Sequence, residues 1–154
     1  MTDVNLAEVQ FALDRAHRVA WRTQKPDGSW DCNGQVGAWV TAQVVTVLRY
    51  LKVLDDADTQ AAAKWLSTQQ RSDGSFAIHA YSKHGDLGTT AAGWAALHLC
   101  GAPEAAAKAK AWVEAHGGVN AVLDRINEGD LSALFLGMAG LVDPQKLPCP
   151  SSAA

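Results

Sequence analysis

The sequence is 154 residues long, 48% hydrophobic and 19% charged, with a formal net charge of −3. That length and composition suit one folded domain with a hydrophobic core and exclude a largely disordered chain. The slightly acidic balance and the lack of any basic cluster also argue against nucleic acid as a partner.

Helical periodicity runs through almost the whole chain. In chain order, apolar side chains recur at helical spacing over 5–23, 37–53, 57–69, 89–100, 104–116, 119–126 and 131–139. Long alternation of apolar and polar residues, which would indicate strands, is almost absent, and Asp-Gly turns join the helical segments. The sequence therefore predicts an all-α fold.

An internal repeat organises these helices. The segments RAHRVAWRTQKPDGSW and AAAKWLSTQQRSDGSF share the pattern Q-x-x-D-G-S-aromatic, with 46 residues between matched positions. The matched residues are Gln24, Asp27, Gly28 and Trp30 in the first copy and Gln70, Asp73, Gly74 and Phe76 in the second. A third, decayed copy follows, in which Trp112 lies 47 residues after Trp65 and Gly117-Gly118 replaces the Asp-Gly turn. A period of this length holds a pair of helices, so we expect an array of helical hairpins.

The residue types of the motif suggest a structural job. The glutamine ends one helix, and its amide can bond exposed backbone groups at a neighbouring helix end. Asp-Gly supplies the turn, because glycine accepts a positive φ and aspartate bonds its own backbone. We expect the aromatic side chain to cover this polar turn, and we assign no catalytic role to the motif.

The two motif copies resemble the QW motifs of squalene-hopene cyclases and related class II terpene cyclases. The resemblance extends over most of the chain: GDLGTTAAGWAALHLCG is similar to the family's D-L-D-T-T helix start, AWVEAHGGV to its Gly-Gly turn and LPCP to its exit from that region. It implies an α/α toroid of inner and outer helices, of which about three of roughly six hairpins are present, or about half a barrel. We expect a QW-repeat domain over 1–142 and a Pro-rich tail over 143–154.

The same resemblance locates a missing acid. The family's chemistry depends on D-x-D-D-T-A in its other domain, where the middle aspartate protonates an alkene or epoxide. The equivalent stretch here runs from Asp86 to Ala91, with Gly88 at the proton-donor position and Thr89 in place of the last aspartate. Glycine has no proton to give, so Asp86 is interpreted as a helix cap. Asp86 and Asp130 are the two weak candidates for a relocated acid.

Neither a metal nor another cofactor is expected for this chain. Asp55-Asp56-Ala57-Asp58 is neither D-x-D-D nor D-D-x-x-D and suits a solvated helix start. His17, His79, His84, His98 and His116 lack ligand spacing, and the adjacent pair Asp31-Cys32 lacks the D-x-C spacing of zinc prenyltransferases. We expect Mg²⁺ to take part only where a partner and a diphosphate substrate bring it. Cys32, Cys100 and Cys149 form no C-x-x-C pair, which argues against a disulfide framework.

Three functional hypotheses remain open. The first is a small subunit or stand-alone domain of a class II terpene cyclase that assists a partner carrying the D-x-D-D acid. The second is a non-catalytic isoprenoid-binding or scaffold module, and the third a self-sufficient cyclase with a relocated acid. An incomplete ring exposes apolar flanks, so we expect a protein partner or a homo-oligomer. The N-terminus carries early acids and no apolar stretch, so we expect no signal peptide. The three distant cysteines are typical of reduced thiols, and we therefore expect a cytoplasmic protein that is peripheral to a membrane only through a partner.

Overall fold

The structure, a computed structural model, describes residues 5–28, 37–79 and 81–147, without the side chains of Asn127 and Glu128. The α-helices in these ranges are α1 Leu6–Thr23, α2 Ala38–Tyr50, α3 Asp56–Gln69, α4 Leu87–Leu99, α5 Pro103–Ala115, α6 Gly118–Asp124 and α7 Ser132–Met138. Two short 3-10 helices follow α6 and α7, at Arg125–Glu128 and Pro144–Lys146. The described ranges contain no strand, so the all-α prediction is confirmed.

Two predicted helix ends differ from the structure for local reasons. The helix predicted over 37–53 ends at Tyr50, because Lys52 adopts a φ of +57° and turns the chain into the left-handed region. The helix predicted over 119–126 ends at Asp124 and continues as the 3-10 helix, which Gly129 terminates with a φ of +86°. A left-handed residue thus follows the end of α2, whereas α6 passes directly into the 3-10 helix through Arg125 in the right-handed helical region.

The chain divides into two compact units, residues 1–34 and 35–154. The first unit contains α1, which begins where the Asn5 side chain accepts a hydrogen bond from the amide of Ala7 at 3.0 Å. None of the residues of α1 is buried, and Leu13 on its apolar face is 48% exposed. The predicted boundary between 142 and 143 stays a prediction.

The second unit is built around α4. This helix carries no Asp, Glu, Lys or Arg, and ten consecutive residues, Gly88–Leu97, are buried. A helix that is apolar on all sides belongs in the interior, and α4 packs against α2, α5 and α7. Thus α4 is the axis on which the other helices of this unit are arranged.

The repeat is visible in how α3 and α5 pack. On α5 the buried residues are Ala106, Ala109 and Val113, spaced along one face that packs on α4. On α3 the buried residues include Thr59 and Leu66, which precede Ala106 and Val113 by 47 positions. The two helices therefore use equivalent positions to reach the core of the hairpin array.

Candidate functional site

The second copy of the repeated motif links two helices through Gln70. This residue is the C-cap of α3, and its Nε2 donates to the carbonyl oxygen of Gly74 at 2.9 Å. The same Nε2 donates to the carbonyl oxygen of Ala105, in the first turn of α5, also at 2.9 Å. One half-buried amide thus closes the turn that follows α3 and attaches it to α5.

The Asp-Gly pair of this copy forms the turn itself. Asp73 Oδ1 accepts hydrogen bonds from the Ser75 hydroxyl at 2.7 Å and the Ser75 amide at 3.0 Å. These two bonds hold the pKa of the Asp73 carboxyl below its ordinary value. Gly74 has a φ of +90°, and a Cβ there would lie 2.5 Å from the backbone oxygen of Lys108. Glycine is required for both its conformation and the close approach to α5.

The aromatic residue of this copy fills the space beside α4. Phe76 is fully buried, and a Cβ added at Gly93 would lie 2.6 Å from its ring carbons. Thr90 Oγ1 accepts the Phe76 amide at 3.0 Å, and the Phe76 carbonyl oxygen accepts the Asp86 amide at 2.8 Å. The motif is therefore anchored on three helices: α3, α4 and α5.

The first and third copies retain parts of this arrangement. Gln24 is the C-cap of α1, and its Nε2 donates to the carbonyl oxygen of Gly28 at 2.8 Å, as Gln70 does to Gly74. Asp27 also lies in the described part of this turn, whereas Trp30 lies outside the described residues. In the third copy, Gly117 and Gly118 both adopt left-handed φ values, +100° and +67°.

Asp86 lies at the start of α4, where its carboxylate caps the helix. Its Oδ1 accepts hydrogen bonds from the amide and the hydroxyl of Thr89, both at 2.7 Å. Its Oδ2 lies 3.5 Å from Nη1 of Arg125. The side chain is 26% exposed.

Asp130 is brought next to Asp86 by the fold, although 44 positions separate the two in the sequence. Its Oδ2 lies 3.1 Å from Nε of Arg125, so one guanidinium bridges both carboxylates. Its Oδ1 accepts hydrogen bonds from the amide of Ser132, at 2.9 Å, and from the Ser132 hydroxyl. The two weak catalytic candidates therefore belong to one ion-pair cluster at the N-terminal end of α4.

Gly88 lies directly against this cluster. A Cβ at this position would lie 2.3 Å from Oδ2 of Asp130 and 2.7 Å from the Ser132 hydroxyl. The carboxylate of Asp130 thus occupies the volume into which a side chain at position 88 would extend. Residue 88 can have no side chain without displacing Asp130.

The remaining candidates lie elsewhere. Asp55 caps α3, its Oδ1 accepting the amide of Asp58 at 2.8 Å. Burial raises the pKa of the Cys100 thiol, and the nearby charge of Arg49 opposes that shift. Asp31, Cys32 and Cys149 lie outside the described residues. Within the ranges that the structure covers, no three His, Cys, Asp or Glu side chains form a group able to hold a metal ion.

Apolar side chains are also exposed on the second unit. Val44 of α2 is 49% exposed, and Leu131 and Leu134 at the start of α7 are 50% and 39% exposed. A shallow groove of about 300 Å³ lies between α2 and α7 and is lined by Gln43, Val44, Val47, Leu48 and Phe135. Over its described parts, the chain has no helix with the length and apolar character needed to cross a bilayer.

Comparison with known protein families identifies the family of the chain. The model of the squalene-hopene cyclase N-terminal domain matches residues 13–139. The chain belongs to this family. No curated protein and no solved structure shows significant similarity to the chain. The match spans both intact motif copies and the Asp86–Arg125–Asp130 cluster, and together with the all-helical structure it supports an α/α toroid-type fold for this cyclase-related domain.

The contacts that three residues of the site make were not predicted from the sequence. Thr90 matches the threonine of the family's D-x-D-D-T-A motif in the sequence, but its hydrogen bond to the Phe76 backbone, 14 positions away, was not predicted. Arg125 and Ser132 gave no signal of their own. Both act on carboxylates through contacts that depend on how α6 and α7 pack against α4.

Proposed function

We propose that the chain is a non-catalytic part of a class II terpene cyclase, and that a partner polypeptide supplies the D-x-D-D acid. The proposal depends on the residue at position 88, which corresponds to the proton donor in the family's D-x-D-D motif. This residue is Gly88, and the Asp130 carboxylate fills the volume that a side chain there would need. The chain would then shape or stabilise the hydrophobic pocket of the catalytic partner, and Mg²⁺ would enter only through that partner and a diphosphate substrate.

The geometry of the two nearby carboxylates favours a structural role over proton donation. Each oxygen of Asp86 and Asp130 accepts a hydrogen bond from an N–H or O–H donor or pairs with Arg125. A general acid for alkene or epoxide protonation must face the substrate in a dry pocket with an available proton. In the described structure these carboxylates face backbone amides, hydroxyls and a guanidinium instead.

A reconstitution assay tests this proposal. A D-x-D-D-bearing cyclase polypeptide from the same source is assayed with squalene, alone and with an equimolar amount of this chain, and cyclic products are quantified. We expect the chain alone to be inert and the mixture to exceed the partner alone. The negative control is this chain unfolded by heat before it is mixed with the partner. No gain in the mixture over the partner alone would contradict the proposal.

A second candidate function is a cyclase with a relocated acid, and it is supported by the close approach of Asp130 to position 88. Asp130 Oδ2 lies 2.3 Å from the position of a Cβ at residue 88, so an acidic group is present near the donor position although the sequence lacks one there. This candidate predicts turnover of squalene by the purified chain and its loss in Asp130→Asn. An inert purified chain that is folded by circular dichroism would eliminate it.

A further inference from the structure

We draw no further inference here: the strongest candidate, the apolar groove between α2 and α7 lined by Val44, Val47, Leu48 and Phe135, carries none because nothing in the structure shows what covers it.

Discussion

Single residues set the closest contacts of this domain, and Gly93 is the sharpest case. It lies in the middle of α4, where a glycine weakens a helix, yet its missing side chain makes room for the ring of Phe76. The ring is fully buried, and the close packing of protein interiors leaves little room for it to move. At this position, the room that glycine leaves for the aromatic residue of the motif outweighs its low helix propensity.

Replacing Gly93 with alanine should therefore destabilise the protein in spite of the gain in helix propensity. The new Cβ would lie 2.6 Å from two ring carbons of Phe76. We expect the free energy of unfolding in urea to fall by about 1–3 kcal/mol, the usual range for overpacking. The matched control is Gly137→Ala in α7, where the added Cβ meets only the far end of the Leu147 side chain at 3.0 Å. Equal effects of the two substitutions would contradict this account.

Asp73 gives a residue-scale prediction about pH. The Ser75 hydroxyl and amide lower the pKa of this carboxyl in the folded state. Its contribution to stability is therefore complete above the pKa of the unfolded chain and is lost as the pH falls through the folded-state pKa. Because the group is exposed, we expect an effect below about 1 kcal/mol.

The pH prediction is checked by comparing the wild-type protein with Asp73→Asn in urea unfolding. The asparagine keeps the size of the side chain but has no carboxyl to titrate. We expect the wild-type advantage to be largest near neutral pH and to shrink as the pH falls below about 4. A difference that grows towards acidic pH would show that the cause assigned to the shift is wrong.

At the scale of elements, two polar links tie the helices together, and the first is the Gln70 amide between α3 and α5. Both of its acceptors are backbone oxygens, on Gly74 and Ala105. Removal of the amide leaves both without this donor in a partly buried region. The cost of such a change is commonly about 1–3 kcal/mol.

Gln70→Ala should accordingly lower the unfolding free energy by about 1–3 kcal/mol. The adjacent Gln69→Ala is a matched control, because Gln69 is exposed and its described side-chain bond goes only to the neighbouring Thr68 hydroxyl at 3.3 Å. We expect that control to change stability by less than about 0.5 kcal/mol. Similar losses for both glutamines would mean that the link from α3 to α5 contributes little.

The second link joins the start of α4 to the start of α7 through Gly88, Asp130 and Arg125. A side chain at position 88 collides with the Asp130 carboxylate, so the effects of changes at the two positions should be coupled. For this reason, an aspartate cannot be introduced at position 88 without a change in the packing between α4 and α7. A new acid at position 88 would require Asp130 to be moved or removed.

A double-mutant cycle measures that coupling. We expect Gly88→Ala to destabilise the protein by about 1–3 kcal/mol and the same change in an Asp130→Gly background to cost clearly less. The coupling energy should exceed about 0.5 kcal/mol, as measured by urea unfolding of the four proteins. If the effects of the two substitutions on the unfolding free energy were strictly additive, Asp130 would not contact position 88. The explanation for the absence of an acid at that position would then be wrong.

For the whole molecule, the family match shows that the chain is a domain related to terpene cyclases. The contacts of Asp86 and Asp130 bear on whether this chain or a partner supplies the acid. If the acid comes from a partner, then the isosteric variants Asp86→Asn and Asp130→Asn should support reconstituted squalene cyclisation in proportion to the amount of folded chain. In the same assay, replacement of the middle aspartate of the partner's own D-x-D-D motif with asparagine should abolish formation of the product. Loss of product in Asp130→Asn without loss of folded protein would instead favour the relocated acid.

Much of the fold was accessible from the sequence because it depends on local rules. Helical periodicity located the helices, and the spacing of Gln70, Asp73, Gly74 and Phe76 identified the turn, since its internal bonds join residues no more than four apart. The family resemblance, carried by the same motif, is confirmed by the match over residues 13–139. The end of α2 was misplaced because a single left-handed residue, Lys52, leaves little trace in an apolar pattern. The end of α6 was misplaced because the apolar pattern continues into the 3-10 helix that follows it.

That these hairpins lack an acid at position 88 can be read from the sequence, because this conclusion requires only the identity of one residue. The group that occupies the space of that missing side chain is visible only in the folded protein, because Arg125 and Asp130 contact Asp86 and Gly88 across roughly 40 positions of chain. Such contacts follow from the packing of α6 and α7 on α4, which depends on many weak apolar contacts at once and leaves no short-range pattern in the sequence.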